Sequence, residues 1–302
     1  MFRFSIFHRI SRVLDAPGFL ICALFAAALL APPSTAAATR VTIMLNWLPG
    51  GAHVPIYYAR DAGFYKKAGI EVEIRSSRGS REALSALGAG KAQFAITEAT
   101  ELFSRRADGL KPVGVMAYFN KSPNAVLALK NSGIGRIADL AGKRIAAPRS
   151  SLPRILFPRL AGKGKINLEE VRWISLAPAE LLPALISGKV DAVASSRMAA
   201  HQYRVAAAKK GGALSVLPLA DAGVNIYSLV LAAPRSFISK NPGLVKSFVR
   251  ATAEGMAAAL ERPGAALEIF LKANPAVIRP RVRSEWRVAH SLIYPPEARH
   301  SL

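Results

Sequence analysis

Residues 83–97 read ALSALGAGKAQFAIT, and residues 181–195 read LLPALISGKVDAVAS. Leu84, Ala86 and Leu87 of the first stretch answer Leu182, Ala184 and Leu185 of the second. Gly90 and Lys91 answer Gly188 and Lys189, and Gln93 answers Asp191. Each copy carries apolar residues at helical spacing, then a glycine suited to end a helix, then an apolar run of strand length. Such wording also arises by coincidence in α/β proteins. Used twice, about a hundred residues apart, it predicts two similar α/β lobes, and the cleft between two lobes is where small molecules bind.

Strand-like and helix-like segments alternate from Val41. Strands are expected at Val41–Asn46, Ile70–Arg75, Gln93–Thr97 and Val113–Tyr118. Helices are expected at Val54–Lys67, at Arg81–Ala89 with Ser80 as its N-cap, and at Glu98–Ala107. This order argues for a mostly parallel sheet with helices on its faces. A second series comes next, with strands at Ala125–Leu129, Lys143–Ala147, Val171–Leu176 and Leu214–Leu217. Its helices are a kinked or divided one at Ser151–Gly162, the second copy of the repeat, and Arg197–Lys210. After a strand at Ile226–Ala232 the reading turns helical, at Pro242–Leu260, Pro263–Lys272 and Arg283–Ile293. The expected fold class is therefore α/β and two-lobed. Residues 39–124 and 228–302 form the first lobe, 125–227 form the second, and two crossover segments make a hinge.

The N-terminus reads as an export signal. Arg3, Arg9 and Arg12 precede an apolar stretch from Gly18 to Leu30, and Ala36–Ala38 offers a small-residue cleavage site. Residues 1–38 are assigned to that signal, which implies a periplasmic location. Cys22 lies within the apolar stretch behind Ile21, which is not the small residue that lipidation needs. It is the chain's one cysteine, so the remaining 264 or so residues have no thiolate chemistry and no disulfide. The net charge is +22, of which three arginines and Asp15 place +2 in the signal. The basic residues are dispersed and not interleaved with aromatics, which argues against nucleic acid as a partner.

Candidate ligand residues cluster where strands are expected to end, since open α/β sheets bind ligands outside the carboxyl ends of their strands. Asn46 and Trp47 end the first strand, where the indole either faces a ligand or packs under the next helix. His53 and Tyr57 are four apart at the following helix start, with a structural histidine as the alternative. Ser77 and Arg78 join the second strand to a helix start, and Arg149, Ser150 and Ser151 occupy the equivalent position in the second lobe. Both loops suit polar atoms or are ordinary caps. Glu98 and Ser195 end the two repeat strands, and Asn225 and Tyr227 lie at the second crossing. There is no G-x-S-x-G and no phosphate-binding P-loop. The sequence from Gly133 to Ala138 matches G-x-G-x-x-A, but Gly142 ends the adjoining helix almost at once, so it is not read as dinucleotide binding. His201, His290 and His300 lack metal-ligand spacing. No catalytic residue, metal or cofactor is assigned.

Taken together, LNWLPGGAHVPIYYARDAGFYKKAGIEVEI (45–74), AGKAQFAITEAT (89–100), IADLAGKRIA (137–146) and ISGKVDAV (186–193) resemble periplasmic solute-binding proteins of the sulfonate, nitrate and thiamine-pyrimidine-precursor type. The resemblance covers residues 41–275. It implies a type II periplasmic binding fold, a small-molecule ligand, an ABC permease in the inner membrane as partner, and a monomer. In the pyrimidine branch an aromatic ligand is held by aromatic side chains. Trp47, His53 and Tyr57 match that motif by position, and Glu98 matches the loop after the third strand. Fungal members of the branch are pyrimidine-forming enzymes with a cysteine-rich motif, from which this chain departs. A synthase-like enzyme on the same fold, and a binder of sulfonate or nitrate, are the alternatives. The chain also stops soon after Trp286, earlier than the longer C-terminal helical region usual in that family.

Overall fold

A computed structural model describes residues 38–107, 111–149, 151–161, 167, 170–224 and 226–293. The assigned export signal before Ala38, together with Ser150 and Asn225, lies outside the described residues. The strands are β1 (Thr39–Met44), β2 (Ile70–Arg75), β3 (Phe94–Glu98), β4 (Pro112–Ala117), β5 (Asn124–Leu129), β6 (Arg144–Ala147), β7 (Arg172–Ser175), β8 (Ala192–Ser196), β9 (Leu214–Pro218) and β10 (Leu229–Pro234). They form two five-stranded sheets, in the orders β2-β1-β3-β10-β4 and β7-β6-β8-β5-β9. In the first, β1 pairs in parallel with β2 and β3, while β10 runs antiparallel between β3 and β4. In the second, β6 pairs in parallel with β7 and β8, while β5 runs antiparallel between β8 and β9. One strand in each sheet is thus reversed, and it is the one that comes after a crossing between the sheets. The fold is α/β, and both sheets repeat one plan.

The repeated sequence repeats as hydrogen bonds. The helix Ser80–Gly88 leads through Gly90, with φ of 71°, to β3, and the helix Pro178–Ile186 leads through Gly188, with φ of 75°, to β8. Only glycine takes this left-handed conformation without cost from a Cβ. The Gln93 backbone N–H donates to the Thr42 carbonyl (3.0 Å), and the Thr42 N–H donates back to Gln93 Oε1 (2.8 Å). In the second sheet the Asp191 N–H donates to the Arg144 carbonyl (3.0 Å), and the Arg144 N–H donates back to Asp191 Oδ2 (2.8 Å). The registers match as well: Ile43 lies opposite Phe94, and Ile145 opposite Ala192. Asp191 also accepts from the Arg144 guanidinium (2.8 Å), which holds its carboxyl below the usual range.

Helices cover both faces of the first sheet, so its central strand β3 buries Phe94, Ala95, Ile96 and Thr97 in succession. On one face Phe94 stacks on Phe248 at 3.9 Å between ring centres, and Tyr65 stacks on the same ring at 5.0 Å. The Tyr65 hydroxyl shares a hydrogen bond with Thr252 in this core (3.0 Å). The helices Pro242–Glu261, Pro263–Ala273 and Arg279–Leu292 supply the rest of that layer.

Three local expectations are corrected. The helix expected at Val54–Lys67 is two, Val54–Asp61 and Phe64–Lys67, because Gly63 turns left-handed (φ 84°) between them. Gly79, not Ser80, caps the helix Ser80–Gly88, and the Ser80 hydroxyl instead accepts from the Glu98 N–H (3.0 Å). A short helix, Arg235–Lys240, succeeds β10 where the sequence reading had none. Among the described residues no helix is long and apolar enough to cross a membrane.

Replacing Gln93 by Ala leaves the Thr42 N–H without its side-chain acceptor inside the sheet. The expected cost is about 1–3 kcal/mol, read as a lowered urea midpoint at unchanged slope. An unchanged midpoint would show that the clasp contributes nothing to the fold.

Candidate functional site

The carboxyl end of β1 is tied down before it opens. The Leu45 N–H donates to the Arg75 carbonyl (2.7 Å), and the Ser77 hydroxyl donates to the Leu45 carbonyl (2.7 Å). Beyond that point the chain leaves the sheet through Asn46–Gly50, makes a 3₁₀ turn at Gly51–His53, and enters the helix Val54–Asp61. The C-terminal helix Arg279–Leu292 closes against this turn. A Cβ on Gly51 would stand 2.2 Å from the Trp286 backbone nitrogen, so glycine is required for the approach. The Gly51 N–H donates to Glu285 Oε2 (2.8 Å).

Beside this turn lies a cleft of about 380 Å³. From the first sheet and its helices come Asn46, Trp47, His53, Glu98, Phe119 and Glu285; from the end of β8 and the stretch after it come Ser196, Met198, His201 and Gln202. Trp47 is 56% exposed, so its indole is not spent on the core. His53 is buried, and burial lowers its pKa to about 4, which keeps the ring neutral. The Gly50 N–H donates to His53 Nδ1 (3.2 Å), leaving His53 Nε2–H to donate to Asn46 Oδ1 (2.9 Å). The Asn46 amide is thereby oriented, and its nitrogen makes no hydrogen bond to any described residue. Glu98 accepts from the Ser228 hydroxyl (2.9 Å), and burial raises its pKa. The cleft therefore joins an open indole face, a fixed amide donor and a carboxyl group with a strengthened hold on its proton.

The sequence-predicted residues divide. Asn46, Trp47, His53 and Glu98 line the cleft. Tyr57 does not. Its ring is buried edge-on to Phe270 at 5.0 Å, so its face is spent on the layer of helices over the first sheet. Ser77 is buried and occupied with backbone atoms of Leu45 and Gly79, and Arg78 is exposed. Arg149 and Tyr227 are exposed and Ser151 is half-buried, all outside the lining. Ser195 bonds to Tyr203 on the other face of β8, since successive strand residues point to opposite sides. Ser196 takes its place in the cleft, its hydroxyl accepting from the Met198 N–H (3.1 Å). The repeat contains this assignment: Gln93 answers Asp191, so Glu98 answers Ser196 and not Ser195. Arg281 and Glu285, distant in sequence and on a helix read only as packing, had no local signal.

The family model described as NMT1/THI5 like matches residues 51–266. The chain is similar to the 4-amino-5-hydroxymethyl-2-methylpyrimidine phosphate synthase of Legionella pneumophila, with 24% identity covering 80% of this chain and 76% of that one. It is also similar to the formylaminopyrimidine-binding protein of Halalkalibacterium halodurans, with 24% identity covering 76% and 69%. Among solved structures, the periplasmic aliphatic sulphonate binding protein SsuA from Escherichia coli superimposes with a TM-score of 0.67, covering 85% of this chain and 84% of that one at 20% identity. That likeness gives the fold, the type II periplasmic binding architecture.

The neutral His53 sets a pH dependence. Its folded pKa of about 4 lies below the ordinary value of 6.5, so between these values the unfolded chain holds a proton that the folded chain lacks. Its contribution is complete above about pH 6.5 and is lost as pH falls towards 4, at up to about 1.4 kcal/mol per pH unit. The raised pKa of Glu98 acts oppositely, its contribution being full at low pH and lost as pH rises. Urea stability measured from pH 4 to 7 is expected to fall less steeply towards acid in His53→Asn than in the parent. Equal slopes would mean that this imidazole charges freely in the folded state.

Proposed function

The chain belongs to the NMT1/THI5-like family, and on that premise we propose that it is the substrate-binding component of an ABC importer. Its solute is a small flat heterocycle, a thiamine pyrimidine precursor or a close relative. Residues 39–124 with 228–302 act as one lobe and 125–227 as the other, closing over the solute by hinge motion. The protein works as an exported monomer that hands its ligand to a membrane permease.

The observation that carries this reading is the combination of Trp47, Asn46 and Glu98 at one cleft. An aminopyrimidine edge presents a ring-nitrogen acceptor beside an amino donor. Asn46, oriented by His53, supplies the N–H for the first, and Glu98 supplies an acceptor for the second. The exposed indole offers a stacking face. A cleft of about 380 Å³ suits a single ring system with short substituents. Ser196 and Gln202 lie where the second lobe would complete the enclosure. Capture and release require complementarity to the ground state, and none of these groups needs to act as a base. The H. halodurans relative, named for formylaminopyrimidine binding, supports a pyrimidine over an anion. The name of the L. pneumophila relative favours synthesis as the competing reading.

Calorimetric titration with aminopyrimidines, riboflavin, an alkanesulfonate and nitrate separates these readings. The expectation is one tight heterocycle, bound without turnover. Trp47→Ala loses about 1–3 kcal/mol of affinity, the range for stacking on an aromatic side chain, and Asn46→Ala is weakened similarly. Tight binding confined to sulfonate or nitrate, or undiminished heterocycle binding in Trp47→Ala, would contradict it. Chemical conversion of the bound compound would favour the synthase.

A further inference from the structure

Next to the Trp47 cleft, and sharing His201 with it, runs a second groove of about 700 Å³. Its walls come from two elements far apart in sequence. One is the stretch from Arg197 into the helix Ala200–Ala208; the other is the C-terminal helix Arg279–Leu292. Arg197, His201 and Arg204 line it from the first, and Arg279, Arg283 and Arg287 from the second. The spacing of four residues stacks the last three on one face of their helix. No Asp or Glu is among the lining residues. Arg279 is paired with Glu268 (2.7 Å), and Arg197 donates to the Ser291 hydroxyl (3.3 Å). Arg204 and Arg287 form neither an ion pair nor a hydrogen bond with any described residue, while Arg283 is close enough to Glu268 to help hold that carboxyl's pKa down.

We propose that this groove is a second binding site, taking a small multivalent oxyanion of the phosphate class that bridges the two helices. A basic protein has arginines over much of its surface, where they point into water and lie apart. Here arginines from two separate helices line one concavity. That arrangement raises their mutual repulsion and lowers the energy of an anion between them. Guanidinium forks bind phosphate oxygens in pairs, so a multivalent oxyanion engages several at once where chloride cannot. The concave shape selects a compact anion over a flat acidic surface. Because the two helices pack on different sheets, an anion held by both would also tie the two halves of the molecule together. The groove binds its anion whatever solute enters the Trp47 cleft.

The test is calorimetric titration of the purified protein with inorganic pyrophosphate and with inorganic phosphate, at ionic strength matched with sodium chloride. The expected result is saturable one-to-one binding, tighter for pyrophosphate. Arg204→Gln and Arg287→Gln, both exposed and outside the core, are each expected to weaken it about tenfold. Their double variant should lose less than the product of the two, since both grip one anion. Trp47→Ala should leave it unchanged. The proposal is overturned by a response that chloride reproduces, by an effect of only one of the two arginines, by loss in Trp47→Ala, or by binding to phosphatidylglycerol vesicles without binding to pyrophosphate.

Discussion

Everything at the cleft depends on the parallel pairing of β1 with β3, clasped by Gln93 on Thr42. Parallel neighbours end on the same side, so this pairing brings Asn46, just past β1, and Glu98, the last residue of β3, to one edge of the sheet. A one-residue slip would turn either side chain to the opposite face. The clasp resists such a slip because the side chain and backbone of Gln93 both hold the same residue of β1. The second sheet uses Asp191 on Arg144 in the same way. There the side chain can be a carboxylate because the Arg144 guanidinium compensates its charge.

Once the strand ends are fixed, burial sets the chemistry. Water is excluded from His53, so its ring stays neutral and has one donor and one acceptor nitrogen. With the acceptor occupied by the Gly50 N–H, the remaining N–H has one role, to hold the Asn46 carbonyl oxygen. The histidine that the sequence marks as a ligand contact lines the cleft and also aims its neighbour. Glu98 is held twice, through its backbone by Ser80 and through its carboxyl by Ser228. Ser80 belongs to the helix that opens the repeat, so the residues that specify the fold also position the site.

The sequence made the architecture legible because the repeat, its glycines and its clasping residue are local and occur twice. The β2 strand is read without error, since its alternating burial follows its alternating sequence. The site was half legible. Asn46, Trp47 and Glu98 sit at or just past strand ends, which a periodicity reading locates, and His53 lies in the turn that leads from β1 to its helix. Tyr57 packs on Phe270, a partner more than two hundred residues away that local spacing does not show. Ser195 misled by a single step of strand alternation, which the repeat itself corrects. Glu285 and the arginines of the last helix reach the cleft and the groove only through tertiary packing, so no local pattern announces them.

The most direct measurement is a crystal structure of the protein with an aminopyrimidine bound. The ring is expected against the Trp47 indole, with its edge between the Asn46 amide nitrogen and the Glu98 carboxyl and residues beyond β8 closing over it. An electron density map with the ring elsewhere, or with His53 turned away from Asn46 to meet the ligand itself, would contradict it.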